Sequence, residues 1–343
     1  MLDLPGAVGA IGVDAGTAQH YGDPLREQRT LADGAALLDR STRDVLVIPG
    51  PDRLKWLHSI CSQHVLNLTD GDSTESLVLS PNGHVEQHWQ VTELGGQLWL
   101  DTEPGAAEEV YGYLDKMRFM SRVEPAVVTA DWAVLTLAGP DAAAVLERAG
   151  LPQIPAVGRA ATLDDDGVQL GGGFLRGMPG GGVDLLVPRA ALVALTLRLR
   201  EAGAVPVGVW AREAIRVAAG WPRLGFETDH RTIPHEVGWI GTAVHLNKGC
   251  YRGQETVARV HNLGKPPRRL VMLHLAGESD ELPAHGTPVE LGGRTVGFLG
   301  TSAYHYELGP IALAVVKRSL GPDAELVVGG HTAAIDGRFA VPA

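Results

Sequence analysis

Apolar positions recur along the chain with two periods, and their alternation lays out the elements. A short apolar run from Asp44 to Pro49 reads as a strand. Gly50-Pro51-Asp52 then turns the chain into a helix over Arg53 to Cys61, with Pro near the start, where its missing N–H costs nothing. The same unit recurs: Leu46-Val47-Ile48-Pro49-Gly50-Pro51-Asp52 lines up with Leu135-Thr136-Leu137-Ala138-Gly139-Pro140-Asp141. The second helix, Ala142 to Arg148, stops at Gly150, a natural C-terminal glycine. Two related modules, or chance likeness of two common turns, both account for this pattern.

Leu77 to Ser80 and His84 to Thr92 flank Pro81-Asn82-Gly83 and predict a hairpin on an Asn-Gly turn. Gln97 to Thr102 adds a strand and Ala106 to Met117 a helix. Glycine triplets at 171–173 and 180–182 predict a further hairpin in 168–187. Ala190 to Ala202 and Trp210 to Ala219 read as helices ended by Gly203 and Gly220. Gly264-Lys265-Pro266-Pro267 reads as a linker. Beyond it come only short strands: Leu270 to Leu275, Pro288 to Leu291, Thr295 to Leu299, Ile311 to Val316, Glu325 to Val328 and His331 to Ile335. The fold class expected is therefore α+β: a loose, partly disordered lead-in over 1–30, α+β modules over 31–130 and 131–265, and a β-barrel over 268–343. The three modules are expected to close around a central cleft, where small ligands usually bind.

Composition narrows the function. The 343 residues suffice for two or three domains. The net charge of −11, from 29 basic and 40 acidic residues, argues against a nucleic-acid partner. Cys61 and Cys250 are too few for a disulfide scaffold or for the four thiolates of an iron–sulfur cluster. No Lys or Arg precedes Arg26, so no signal peptide is expected, and no run of about 18 apolar residues would cross a membrane. Cytoplasm is the default location.

Candidate chemistry concentrates in Lys248-Gly249-Cys250-Tyr251-Arg252-Gly253-Gln254-Glu255. In an extended segment the side chains of Lys248, Cys250 and Arg252 would share one face. Neighbouring cations would lower the thiol's pKa and make it reactive. Gly249 and Gly253 would let the backbone turn or approach a ligand, and Gln254 to Arg259 reads as a helix start with Glu255 in its first turn. The bland reading of Cys250 is a small buried hydrophobe; Cys61, at the end of an amphipathic helix, is expected to be buried and inert.

The octapeptide resembles the K-G-C-[FY]-x-G-Q-E signature of the YgfZ family of folate-binding proteins, itself similar in fold to the glycine-cleavage T-protein, an aminomethyltransferase. Both families carry a G-x-[DE]-A helix start like the two Gly-Pro-Asp turns, and Thr295 to Ser302 resembles the T-protein's G-x-x-V-G-x-x-T-S motif. Arg216 to Glu227 resembles its segment R-x-E-x-G-x-P-x-x-G-x-E, and Thr232 to Glu236 its T-P-x-E segment. The resemblance, over about 33 to 340, implies tetrahydrofolate as cofactor. It places Glu227 on the pterin, where a carboxylate would accept from two N–H groups. It adds Arg223, Trp221, Tyr251, Gly253, Gln254 and Arg259 as folate contacts, and Cys250 with Lys248 as the functional pair. On bare chemistry Glu227 is equally a solvated loop acid. Where the T-protein has N-A-x-N and a catalytic aspartate, this chain has Trp99-Leu100-Asp101-Thr102-Glu103, so a catalytic Asp101 is an open alternative.

The resemblance implies folate-dependent assembly or repair of iron–sulfur proteins, with those proteins as partners. A folate-dependent aminomethyl or methyl transferase and a non-catalytic folate-sensing adaptor are the alternatives. No metal site is expected: His84 and His88 lie about 13 Å apart along a strand and cannot share one ion. Nor does the chain carry a dinucleotide loop, a phosphate-binding loop or a G-x-S-x-G elbow.

Overall fold

The computed structural model describes residues 1–163, 172–277 and 281–339. The chain forms two compact units. Met1–His58, Val65–Glu75 and Trp89–Arg212 make the first; Ser59–His64, Ser76–His88 and the chain from Glu213 onward make the second. Among the described residues, no helix is long and apolar enough to cross a membrane.

A six-stranded sheet of the first unit runs in the order Ala160–Thr162, Phe174–Gly177, Val183–Pro188, Trp132–Ala138, Ala36–Asp39, Val205–Val207. Helices Ala142–Arg148 and Leu192–Glu201 bury Val145, Leu146, Leu195 and Leu199 against its Leu135, Leu137 and Leu185. The alternate residues of the same strands point the other way. Val134, Phe174 and Leu186 pack on Val45, Leu94 and Trp99 of a five-stranded sheet ordered Asp72–Leu79, Val85–Leu94, Gln97–Thr102, Asp44–Pro49, Ala126–Val127.

The repeated Gly-Pro-Asp turn does the same job in both copies. Gly50 and Gly139 have φ of 125° and 105°, and a Cβ there would come within 2.2 Å of the Arg122 carbonyl and 2.3 Å of the Gly34 carbonyl. Only glycine allows both the left-handed backbone and that approach. The two stretches also share strands: Ala36–Asp39, from the stretch 31–130, pairs antiparallel with Trp132–Ala138 and parallel with Val205–Val207.

The lead-in is a correction to the expected loose segment. Val8–Gly9 pairs with Ala18–His20, and Asp23 caps helix Pro24–Asp33 by accepting from the Arg26 N–H at 3.0 Å. Glu27, in that helix, is buried and accepts from the N–H groups of Tyr21 (2.6 Å) and Gly208 (2.7 Å). A buried acid that answers two backbone donors fixes the segment, and composition alone does not show it. Of the hairpin expected over 168–187, residues 168–171 lie outside the described residues; Phe174–Gly177 and Val183–Pro188 do pair antiparallel.

The second unit contains a closed six-stranded barrel in the order Arg268–Ala276, Gly309–Lys317, Arg294–His305, Pro288–Leu291, Leu326–Val328, His331–Ile335. The strand expected to end at Leu299 continues to His305 through an irregularity between Leu299 and Ser302. Val271, Leu273, Leu299, Ala312, Ala314 and Leu326 share one apolar cluster, whereas Leu270, Met272, Ile311, Leu313 and Val315 belong to a second one with Val217, Trp239, Tyr251 and Val257. Strands Arg268–Ala276 and Gly309–Lys317 are buried on both faces over most of their length, so they read as continuous apolar runs.

Candidate functional site

The octapeptide runs through bends and turns rather than a strand, and its last two residues open helix Gln254–Leu263. This corrects the expectation that Lys248, Cys250 and Arg252 crowd one face, which needs extended backbone. Lys248 is 6% exposed, and its ammonium donates to the carbonyls of Cys61 (2.5 Å) and Gln63 (3.2 Å), 5.1 Å from the Tyr251 ring centroid. Cys250 is exposed. Arg252 is exposed too and pairs with Glu86 at 3.1 Å. Burial lowers the pKa of Lys248, since the charged form loses hydration. Tyr251 is pushed up to about 12 by its own burial.

The carbonyls that receive Lys248 are presented by a turn tied down by polar side chains. The Ser62 hydroxyl donates to the Ala243 carbonyl at 2.7 Å and accepts from the Leu77 N–H at 2.9 Å. The Gln63 amide donates to the Thr242 carbonyl at 2.6 Å. Cys61 is buried, its S–H directed at the Gln63 carbonyl at 3.5 Å. Burial raises its pKa, and the Lys248 charge offsets only part of that. Gly253 has φ of 83°, and a Cβ there would lie 2.6 Å from the Ser80 carbonyl and 2.9 Å from the Gly83 Cα. This glycine of the motif packs against the Asn82-Gly83 turn.

Glu227 forms the centre of a second hydrogen-bonded set. It is 0% exposed. One carboxylate oxygen accepts from Arg216 (2.9 Å) and the Arg223 N–H (2.8 Å), and the other from the Thr301 N–H (2.9 Å). The helix Val209–Ala219 aims Arg216 at it, and Arg216 also takes Glu213 at 2.8 Å. Burial works against the Arg216 charge, but Glu213 and Glu227 more than offset it and raise its pKa. Gly300 makes room: a Cβ there would meet Glu227 Oε1 at 2.5 Å. Glu227 thus fastens the loop after the helix to barrel strand Arg294–His305. The motif's first acid position is Ala218 here.

Of the remaining candidates, Arg223 is buried, 3.7 Å from Glu213 and with its guanidinium 4.7 Å from the Phe226 ring centroid. Trp221 is 40% exposed, Gln254 is half-buried and Arg259 is exposed.

Asp101, in the first unit, is 1% exposed and lies between two guanidiniums, Arg176 at 2.6 Å and Arg43 at 2.8 Å. Arg176 also takes Asp184 at 2.8 Å, Arg43 also takes Glu103 at 3.0 Å, and Arg40 stands 3.3 Å from Asp184. Burial alone would raise the pKa of Asp101; Arg176 and Arg43 outweigh it and hold the carboxylate far below its ordinary range. Such an anion is a poor proton acceptor. Arg43 sits on the bend before strand Asp44–Pro49 and Arg176 on strand Phe174–Gly177, so no local motif announces the network. His84 and His88 form no metal cluster: His88 stacks on Trp239 at 4.7 Å, and no group of three or more ligating side chains occurs among the described residues.

Comparison with known proteins places the architecture. The GCVT N-terminal domain family matches residues 18–153. The aminomethyltransferase of Symbiobacterium thermophilum is 27% identical over 329 residues, covering 91% of this chain and 87% of that protein. That of Rubrobacter xylanophilus is 29% identical over 303 residues, covering 86% and 80%. A putative chloroplastic transferase of Arabidopsis thaliana is 25% identical over 270 residues, and the chain spans 61% of its length. The crystal structure of glycine cleavage system aminomethyltransferase T from Bartonella henselae superposes with a TM-score of 0.84 at 21% identity, covering 96% of this chain and 92% of that one. The fold is that of the T-protein.

Proposed function

We propose that the protein binds a tetrahydrofolate and acts in folate-dependent one-carbon transfer, as an aminomethyltransferase-like protein. The observation that carries this reading is the match to aminomethyltransferases along most of both chains. The side chains fit a reduced folate in part. Trp221 offers an exposed indole face to a flat heterocycle, and Arg259 an exposed guanidinium to a carboxylate. Glu227 does not fit as a pterin acceptor, because Arg216 and two backbone N–H groups already take its oxygens. Asp101 does not fit as the acid–base group, held as an anion between Arg43 and Arg176. Calorimetry with tetrahydrofolate tests the reading, with Trp221→Ala and Arg259→Gln as variants. Saturable binding that both weaken supports it; no saturable heat overturns it.

A second reading is favoured by the octapeptide and its exposed Cys250. In this reading the protein is of the YgfZ type, in the cytoplasm, and serves folate-dependent assembly or repair of iron–sulfur proteins with Cys250 as its functional thiol. Cells lacking the gene would lose iron–sulfur enzyme activities, which wild type would restore and Cys250→Ala would not. Full rescue by Cys250→Ala would remove the thiol from the function.

A further inference from the structure

The second unit has a cavity that neither hydrogen-bonded set uses. It measures about 320 Å³, and its lining includes His235, Glu236, Arg269, Arg318, Asp336 and Phe339. That volume falls within the range of about 300–1,000 Å³ typical of small-molecule sites.

The lining carries two acids and two arginines, and the acids have the closer partners. Both oxygens of Glu236 are engaged by Arg268, at 2.9 and 2.8 Å, and one also accepts from the Ile233 N–H. Asp336 is hydrogen-bonded to His274 at 3.0 Å and to the Arg338 N–H at 2.7 Å. The two arginines are not answered in this way. Arg269 donates from Nη2 to the Leu320 carbonyl at 3.1 Å, while its Nε is buried without a hydrogen-bond partner among the described residues. Arg318 is exposed, and its guanidinium has no acid at ion-pair distance among those residues.

His235 adds a neutral polar group. Both of its ring nitrogens are buried without a hydrogen-bond partner among the described residues. Burial, and secondarily His261, lowers its pKa to about 4, so the ring keeps one donor and one acceptor at neutral pH. Buried polar atoms rarely stay unpaired, and each such atom calls for an explanation. Pro322, Ile335 and Phe339 supply apolar surface to the same cavity.

We propose that this cavity is a binding site for a small organic carboxylate with an apolar body. Its charged group meets Arg269 and Arg318, and its body lies against Ile335, Pro322 and Phe339 beside the His235 ring. Arginine recognises a carboxylate through paired N–H donors, and the apolar wall discriminates against an anion that is all polar. The site is independent of the folate reading, since none of its residues is a proposed folate contact.

Calorimetry on the full chain tests it with three probes: benzoate, benzyl alcohol as a neutral counterpart, and inorganic phosphate as an anion without an apolar body. Benzoate should bind saturably and more tightly than either of the others, and should shift the His235 ring resonances. Arg318→Gln, at an exposed side chain, should weaken benzoate at least about tenfold, and Arg269→Gln should do the same if it folds. Absence of saturable benzoate binding, equal benzoate affinity in Arg318→Gln, or tighter binding of phosphate or benzyl alcohol would overturn the proposal.

Discussion

Lys248 gives its ammonium to the carbonyl of Cys61, 2.5 Å away. The motif's lysine thereby clamps a turn far back in the chain, and its charge goes to two carbonyls of that turn. Lys248→Met should lower stability by about 1–3 kcal/mol, because two buried carbonyls lose their donor. The pH dependence has a definite sign. The folded-state pKa of Lys248 lies below its ordinary 10.5, so the unfolded chain binds more protons between the two values. Stability contributed at this site should therefore rise with pH through that window. Denaturant titrations of wild type and Lys248→Met should differ in slope there; parallel curves would count against a buried ammonium.

The two cysteines should separate cleanly in alkylation. Cys250 is exposed, whereas Cys61 is buried with its pKa raised by that burial. Under native conditions an iodoacetamide reaction should modify Cys250 and spare Cys61, and Cys250→Ala should abolish native labelling. Labelling of Cys61 before unfolding would contradict the packing around the Ser62 turn.

Glu227→Gln should show first as a loss of stability. Removing one partner of a buried ion pair costs about 3–5 kcal/mol. Gly300→Ala probes the same contact from the other side, since its Cβ would press on Glu227 Oε1 at 2.5 Å. That crowding should cost about 1–3 kcal/mol. The two substitutions should not add, because both loosen one contact; additive losses in thermal unfolding would argue that Gly300 matters for another reason.

Asp101→Asn should destabilise the chain by about 3–5 kcal/mol at neutral pH, leaving Arg176 and Arg43 short of an anion. The carboxylate's pKa is depressed in the fold, so its contribution is complete above the ordinary aspartate value and is lost as pH falls through the lowered one. Acid unfolding of the variant should lack that component. An unchanged acid limb would show that Asp101 carries little of the network.

Legibility followed the length and regularity of the local signal. The barrel could be read because Leu270 to Leu273 and Ile311 to Val316 are apolar runs buried on both faces, because Leu326–Val328 and His331–Ile335 alternate buried and exposed positions, and because its turns carry glycine, as at Gly292-Gly293. Ala36–Asp39 and Val205–Val207 were missed: strands this short have no period to detect, and their pairing is set by Trp132–Ala138 elsewhere in the chain. At the site, the octapeptide marked a real loop, and Gly253 had to be glycine. What its lysine holds could not be read, because that partner is 187 residues away. Arg216 to Glu227 was visible as a motif, yet what holds Glu227 there includes the Thr301 backbone, which no local pattern names. Asp101 showed as one acid in a strand, and its arginines came from a bend at Arg43 and another strand at Arg176.

The Ser62 turn has a consequence for synthesis. Its hydroxyl meets a carbonyl 181 residues downstream, at Ala243. At about 5–20 residues per second, that partner is made roughly ten to forty seconds later. For most of this interval, from Val85 until Val217, the growing polypeptide carries Leu77, Leu79 and Val85 without the Val217, Trp239 and Tyr251 they pack with in the finished protein. Chaperone occupancy on ribosome-bound chains should begin once residues 76–88 leave the exit tunnel and fall after the Cys250 loop follows.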